Sequence, residues 1–529
     1  MKKLLSITFL VFAVVFGAIA QDLTVSNVSP KMRKFRGVEA VEGLGYYCFA
    51  MDEKSKKGYK IFKLYIWDYD LKQIAKSSVE LPKKSFVVDA VYNGENFLVA
   101  MYDSKKDKII TLAYNKEGKK VAEIEVDGIK TKFMTLDDYR PSYYADHGRG
   151  FYAVIPDKEP KFGFNIIKYD NDLKEQWRSS YFPDKGLQVV MDAESDADKL
   201  VILKLSKGSK MSKKVDVDLT AFSGTDGKEL WTANFNKSDK VLLPTELAIN
   251  KNKEVSAAGM YFDGSKIGGV NSDGVFFTHL APDGKEIGHT SQSWKGKLQN
   301  FLKMSKSSFT VGKPKVVFED IIYDEATGQI KLIGELFTIN TAGKVLGMLS
   351  GNTNTETKVS IEDLVVFTFT EEGEFTDFYG VNKARTNIFL PNTTSGGVRI
   401  AQLLKQSGSL PYRFTGLNAE GEAIAFYLDY LREKDGKLVS AKLKDFNAGK
   451  VGVGMLNLRN STAEDFEVKY LPMSKKAANK DKESDVAFDS KRSIINVTES
   501  RPGMVLISEL SKKTGDLNLF LESVGTIDP

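Results

Sequence analysis

The sequence predicts an all-β fold: a single β-propeller of eight four-stranded blades. Three observations lead there. One phrase recurs eight times, a short apolar run, a tight polar turn and a second apolar run, as in Val87-Val88-Asp89-Ala90-Val91-Tyr92, Asn93-Gly94-Glu95-Asn96, Phe97-Leu98-Val99-Ala100-Met101-Tyr102. A weaker pair of runs around a second turn follows each phrase. A lone apolar strand, Leu23 to Val28, precedes the first unit, whereas the last unit has little room for a fourth strand. Such a hairpin cannot bury its apolar face alone, so its repetition implies sheets stacked on one another.

The second runs of the eight hairpins are Tyr46 to Met51, Phe97 to Tyr102, Phe151 to Ile155, Leu200 to Leu205, Val255 to Phe262, Ile330 to Phe337, Ala423 to Leu428 and Met504 to Leu510. Each follows a turn rich in Gly, Asn, Asp or Glu, the residues a reversing chain needs. Apolar–polar alternation in them is only partial, as expected of strands covered on both faces. The second phrase reads, for example, Ile109 to Tyr114 before Asn115-Lys116-Glu117-Gly118, or Val275 to Leu280 before Pro282-Asp283-Gly284. Together the two phrases make a sheet with strands a, b, c and d, with blades at 35–82, 85–127, 140–183, 186–236, 244–293, 315–380, 411–472 and 490–529 plus 22–29. The N-terminal strand is expected to complete the eighth sheet and so remove the open edge that invites aggregation. The rival architecture is an open β-solenoid or two smaller β domains; the absence of a Pro/Ser-rich linker favours one closed body over residues 21–529.

Met1 to Ala20 reads as a signal peptide. Lys2 and Lys3 form a basic start, Leu4 to Ala18 is almost continuously apolar, and Ala18-Ile19-Ala20 supplies the small-x-small pattern. The alternative is an uncleaved anchor, but the run is short for a membrane span and Gln21-Asp22 follows instead of a basic flank. The expected location is therefore exported: periplasmic, associated with the outer envelope, or extracellular. No later segment reads as membrane-spanning. Without the first twenty residues, which carry two lysines and no acid, the formal charge falls from +5 to +3. So balanced a charge gives no case for nucleic acid or an anionic membrane. The single cysteine, Cys48, excludes an internal disulfide and sits in an apolar strand, where it reads as a core thiol.

In a propeller the a–b and c–d turns share one rim, and the b–c loops and d-to-a connections share the other. The insertions fall on the second rim. They are the b–c loops Asp263 to Val270, Asn340 to Glu362 and Arg432 to Lys450, and the connections Asp127 to Arg140, Trp294 to Lys315, Gly380 to Leu410 and Met473 to Asp489. Long loops on one face of a regular scaffold are where binding resides, and these concentrate in blades five to eight. Two connections predict helices, Lys295 to Ser305 and Val398 to Gln406, expected to lie as lids on the rim. Lysines crowd two connections (Lys295, Lys297, Lys303, Lys306; Lys475, Lys476, Lys480, Lys482), either as solvated loops or as a basic rim for acidic glycans or anionic lipid.

No catalytic residue can be assigned from motifs, and no cofactor or metal is expected. The three histidines, His147, His279 and His289, lack metal-binding spacing and fall in an a–b turn, a c strand and a d strand. The acidic run Asp192-Ala193-Glu194-Ser195-Asp196-Ala197-Asp198 lacks the central glycine of a calcium loop and reads as an a–b turn. Carboxylates across a central funnel would suit acid/base work on a glycan, but no spacing singles out a pair.

One motif carries a resemblance. Ala221-Phe222-Ser223-Gly224-Thr225-Asp226-Gly227-Lys228-Glu229-Leu230-Trp231 resembles the tryptophan-docking motif of quinoprotein-like eight-bladed propellers, in which a Gly-Lys turn leads to a Trp packed on the next blade. Ala221, Gly227, Lys228 and Trp231 match; Ser223 stands for an aspartate and Asp226 for a threonine. Asp172 to Trp177 and Asp283 to Ile287 are weaker echoes. The resemblance implies that Trp231 and Trp177 pack between blades. Quinone-dependent members use calcium, a catalytic aspartate and often an adjacent cysteine pair; one cysteine cannot form that pair. The whole chain is also similar to exported propeller proteins of Gram-negative bacteria.

The resulting expectation is an exported, non-catalytic binding or scaffold propeller of the cell envelope. Its ligand site would lie on the b–c and d–a rim of blades five to eight, and its partner would be an envelope protein or polysaccharide. The alternative is a carbohydrate-active hydrolase or lyase using carboxylates in the funnel.

Overall fold

The computed structural model describes residues 22–29, 37–127, 141–157, 161–209, 212–236, 239–264, 266–267, 272–304, 315–324, 327–340, 357–390, 400–401, 403–405, 410–434, 437–440, 450–459, 461–462, 465–472, 488–489 and 492–524. The proposed signal peptide lies outside these residues. So do most of the loop 340–362 and the lysines at 306, 475, 476, 480 and 482.

Eight antiparallel sheets are arranged as an eight-bladed propeller. In the second blade the strands are Ser85–Tyr92, Asn96–Asp103, Lys108–Asn115 and Lys120–Asp127, hydrogen-bonded in sequence order. The first strand of each blade lies innermost and, between most adjacent blades, neighbours the next first strand, so the a strands ring the central axis. The middle strands are sealed: Asn96–Asp103 and Gly274–Leu280 are buried at every position. The outer strand Lys120–Asp127 instead alternates between exposed and half-buried residues, as one face meets the next blade and the other meets water. Aromatic pairs join neighbouring blades, for example Tyr181 with Phe222 at 4.8 Å and Phe277 with Phe369 at 4.6 Å between ring centres. Cys48 is a buried free thiol in this interior.

The eighth blade is composite. Ser493–Glu499, Met504–Ser511 and Leu517–Ser523 come from the C-terminal end, and Asp22–Val25 supplies the fourth strand. The register places Asp22 opposite Phe520 and Val25 opposite Leu517. Val28 is buried and its N–H donates to the Gly515 carbonyl at 2.9 Å, while the Ser29 N–H donates to Met51 at 2.8 Å. The N-terminal segment thus ties the last blade to the first.

Four expectations are corrected. The stretch 340–362 is not all loop: strand b of blade six runs to Asn340, and Thr357–Thr370 is already strand c. Alternating Thr357, Val359 and Ile361 suit an extended chain, and they gain a partner in Thr386–Leu390, which pairs Thr357 with Leu390. That partner comes from the 380–410 connection, so part of this expected loop is also sheet. In blade seven Lys437–Ser440 pairs back on strand b, making a hairpin of the first part of the expected 432–450 loop. The helix Lys297–Met304 neighbours the outer strands of blades five and six, with Phe301 edge-on to Phe375 at 6.0 Å, so it braces the side of the ring.

Trp231 and Trp177 are half-buried, not sealed between sheets. Each lies on an outer strand and caps the c–d turn of the next blade. Trp231 Nε1 donates to the Pro282 carbonyl at 2.9 Å, and Trp177 Nε1 to Gly224 at 3.2 Å. A Cβ on Gly284 would come within 2.6 Å of the Trp231 ring, and the φ of +83° at Gly284 also requires glycine. Because Trp231 keeps one side in water, Trp231→Ala should cost about 1–2 kcal/mol in chemical denaturation, less than for an enclosed ring. A cost above about 4 kcal/mol would require a Trp231 buried on all sides.

Candidate functional site

The a strands bring an acidic residue to the same level of the axis in four blades. In each, a β-bulge comes just before the acid: between Val87 and Asp89, Val190 and Asp192, Pro244 and Glu246, and Phe318 and Asp320. A bulge twists the strand and re-aims the next side chain. The carboxylate then turns back on the following amide: Asp89 accepts from Ala90 N–H and Asp192 from Ala193 N–H, both at 3.0 Å. Pro244 is tolerated because the innermost strand is a sheet edge that needs fewer amide donors. Asp89 also accepts the Tyr143 N–H at 2.9 Å, tying blades two and three.

Around blades four to seven these acids become a cluster. The 380–410 connection is helical at 400–401 and 403–405. Ile400, Ala401 and Leu404 are buried and anchor this turn in the core, and Lys405 reaches the axis from it. Its Nζ contacts the Glu246 carboxylate and lies 3.6 Å from Asp192 Oδ2. Burial works against the ammonium, but Glu246 and Asp192, with Glu319 behind them, outweigh it and hold Lys405 protonated above the usual range. Burial pushes Glu246 up to about 8, and the contact with Lys405 opposes this. Glu194, two residues beyond Asp192, is pushed up to about 8 by burial and then by the Asp192 charge. Glu319 is raised well above the carboxylate range by burial and by Glu335, and its Oε1 is buried without a hydrogen-bond partner among the described residues. Asp320 is raised by burial, while Tyr412 donates its hydroxyl to Asp320 Oδ2 at 2.6 Å. Arg413, the bulged residue of blade seven, donates through Nη1 to the Leu410 and Tyr412 carbonyls, while its buried Nε has no partner among the described residues.

Behind the axis the network continues between blades six and seven. Lys383 Nζ and Glu335 Oε1 are 3.2 Å apart, and both side chains are fully buried. Asp429 accepts the Ala384 N–H at 2.8 Å and the Tyr470 hydroxyl at 2.7 Å, and also binds the Ser440 hydroxyl. Arg385 pairs with Glu362 at 2.9 Å. Lys383, Arg385 and Lys405 all come from one d-to-a connection, one of several expected on the binding rim.

The cluster therefore draws on blades four to seven and sits on their inner strands, whereas the sequence points to the loop rim of blades five to eight. It also corrects one reading. Asp192 to Ser195 belongs to the inner strand Leu187–Ser195, and only the residues after it turn. A legible signal was present: an acid in the middle of an apolar run, at matching places, in Val87-Val88-Asp89-Ala90, Val190-Met191-Asp192-Ala193, Pro244-Thr245-Glu246-Leu247 and Phe318-Glu319-Asp320-Ile321.

Two of the histidines stand outside the cluster. Ser256 Oγ lies 2.9 Å from His279 Nδ1, and His279 Nε2 lies 3.2 Å from Glu254 Oε2. The composition is that of a nucleophilic triad, but Ser256 and His279 are both buried. A substrate has no approach to a sealed hydroxyl, so this chain of bonds satisfies polar groups in the interior. His289 bonds Thr278 at 2.8 Å and Ser291 at 3.1 Å. Among the described residues no group of three or more His, Cys, Asp or Glu is placed to hold a metal ion, and no helix is long and apolar enough to cross a membrane.

The chain is similar to the quinohemoprotein alcohol dehydrogenase of Comamonas testosteroni, with 11% identity, a TM-score of 0.38, and coverage of 96% of this chain and 77% of that one. It is also similar to the periplasmic gluconolactonase of Pseudomonas aeruginosa, with 9% identity, a TM-score of 0.34, and coverage of 86% and 95%. At these scores the eight-bladed fold rests on the strand pairing itself. Among curated proteins none matches. Residues 1–470 match DUF6770, a family of unknown function, and the chain belongs to that family.

Proposed function

We propose that this chain is an exported binding propeller of the cell envelope that takes a hydroxyl-rich polymer, a polysaccharide segment, among blades four to seven on the b–c and d–a side. The observation that carries this reading is the mixed cluster around Glu319 and Arg413. Carboxyl groups held toward their neutral form, Glu194 and Glu319, both donate and accept hydrogen bonds, the chemistry that matches sugar hydroxyls. Glu319 Oε1 and Arg413 Nε have capacity to spare. Lys405 stands between Asp192 and Glu246 and pairs with both. Export is supported by the pattern of Met1 to Ala20.

Calorimetric titration of the purified chain with envelope polysaccharides should give saturable binding that weakens about tenfold or more in Glu319→Gln with Arg413→Met. Binding that survives this pair unchanged places the site elsewhere. A hydrolytic reading is favoured by one feature, two neighbouring carboxyls in unlike settings: Asp192 beside a lysine and Glu194 pushed up by burial. It requires new reducing ends in the same incubations, and their loss in Glu194→Gln.

A further inference from the structure

Five carboxyl groups, Asp192, Glu194, Glu246, Glu319 and Asp320, approach the axis in blades four to six. One cation from another part of the chain, the Lys405 ammonium, is set among them. Among the described residues it pairs with Glu246 and Asp192. Glu319 acts on Lys405 through space, yet its Oε1 remains buried without a partner among the described residues. Asp320 spends its Oδ2 on the Tyr412 hydroxyl. Beyond the cost of burial, the carboxyls on the far side of Lys405 repel one another: Glu194 is disfavoured by Asp192 and Asp320, and Glu319 by Glu335 and Glu246, with Arg413 offsetting part of the repulsion at Glu319.

We infer that this carboxyl ring is a site for a primary ammonium group, for which Lys405 is the chain's own partial occupant, and that the polysaccharide it takes carries free amino sugars. This inference rests on the glycan reading above and names the sugar class within it. A primary ammonium offers three donors on a compact charge, the arrangement the ring already accepts from Lys405. Next to Lys405 it would meet Glu319 Oε1 and Glu194, and its charge would oppose the burial and repulsion that hold both carboxyls toward their neutral form. An acetylated amine has one donor and no charge, and gains none of this.

The test is paired titration of the full chain with a glucosamine tetramer and with its N-acetylated counterpart, alongside trilysine. The free-amine tetramer should bind at least about tenfold tighter than the acetylated one. Lys405→Met, which frees Glu246 and Asp192, should tighten the free-amine tetramer by about fivefold or more and leave the acetylated one unchanged. Glu194→Gln with Glu319→Gln should reduce the preference to about twofold or less. Thermal melts of each variant report whether it remains folded, and the wild-type preference stands without any variant. Equal binding of the two tetramers overturns the inference while leaving the glycan reading intact. Binding of trilysine without the sugar overturns it in favour of a basic peptide. Failure of every polysaccharide to bind removes the glycan reading and the inference together.

Discussion

A chain that begins at residue 30, and so lacks Asp22–Val25 and Val28, should melt at a clearly lower temperature and aggregate on heating. Two effects add. Val28 is buried, and Leu23 and Val25 are packed partly against Leu517 and Leu519, so their loss costs roughly 4–6 kcal/mol. For a cooperative unit of this size that is roughly 5 °C. The second effect is kinetic. Without its partner, Leu517–Ser523 becomes an exposed edge with a row of unpaired backbone groups. The tie from Ser29 to Met51 goes as well, so the last blade loses a link to the first. Differential scanning calorimetry and light scattering on the truncated chain measure both effects. An unchanged melting temperature would mean that the ring closes by other contacts.

Replacing Lys383 by Met should destabilise the protein by about 3–5 kcal/mol, because Glu335 would be left in the interior without its cation. The pair need not be stabilising in itself. Burial alone raises Glu335, and Lys383 with Arg413 only partly offset it. The double variant Lys383→Met, Glu335→Leu should therefore recover most of the loss, since taking out both charges removes both desolvation costs. Urea unfolding of the two singles and the double gives the coupling directly. A double variant as unstable as Lys383→Met would mean that the pair holds the 380–410 connection in place by more than its charge balance.

How legible each part was in the sequence follows from what sets it. The blades were legible because each hairpin must alternate turn residues with runs that bury, and Asn93-Gly94 or Asp283-Gly284 mark those turns locally. The closing strand could be anticipated because the last unit is one strand short. The strand Thr386–Leu390 was not, since its pairing with Thr357–Ile361 depends on where blade six brings strand c, not on any local pattern. Trp231 was placed in the right pairing of blades but too deep; the sequence specifies the turn it caps and not how much water reaches its outer face. The axial cluster was half legible. The acids at matching places in four inner strands could be seen, but the bulges that aim them depend on twist within the sheet. Lys405 comes from a connection far along the chain from Asp192 and Glu246, and only closure of the ring brings the three together.

If the proposed binding is right, the carboxyl cluster of blades four to seven holds the ligand. The most direct measurement is a crystal structure of the chain soaked with the tightest-binding oligosaccharide from the titrations. A sugar should lie at the axis within hydrogen-bonding distance of Glu194, Glu319 and Arg413, with Lys405 beside it. A sugar bound on the outer strands or on the a–b and c–d side, with the axis cluster unchanged, would contradict it.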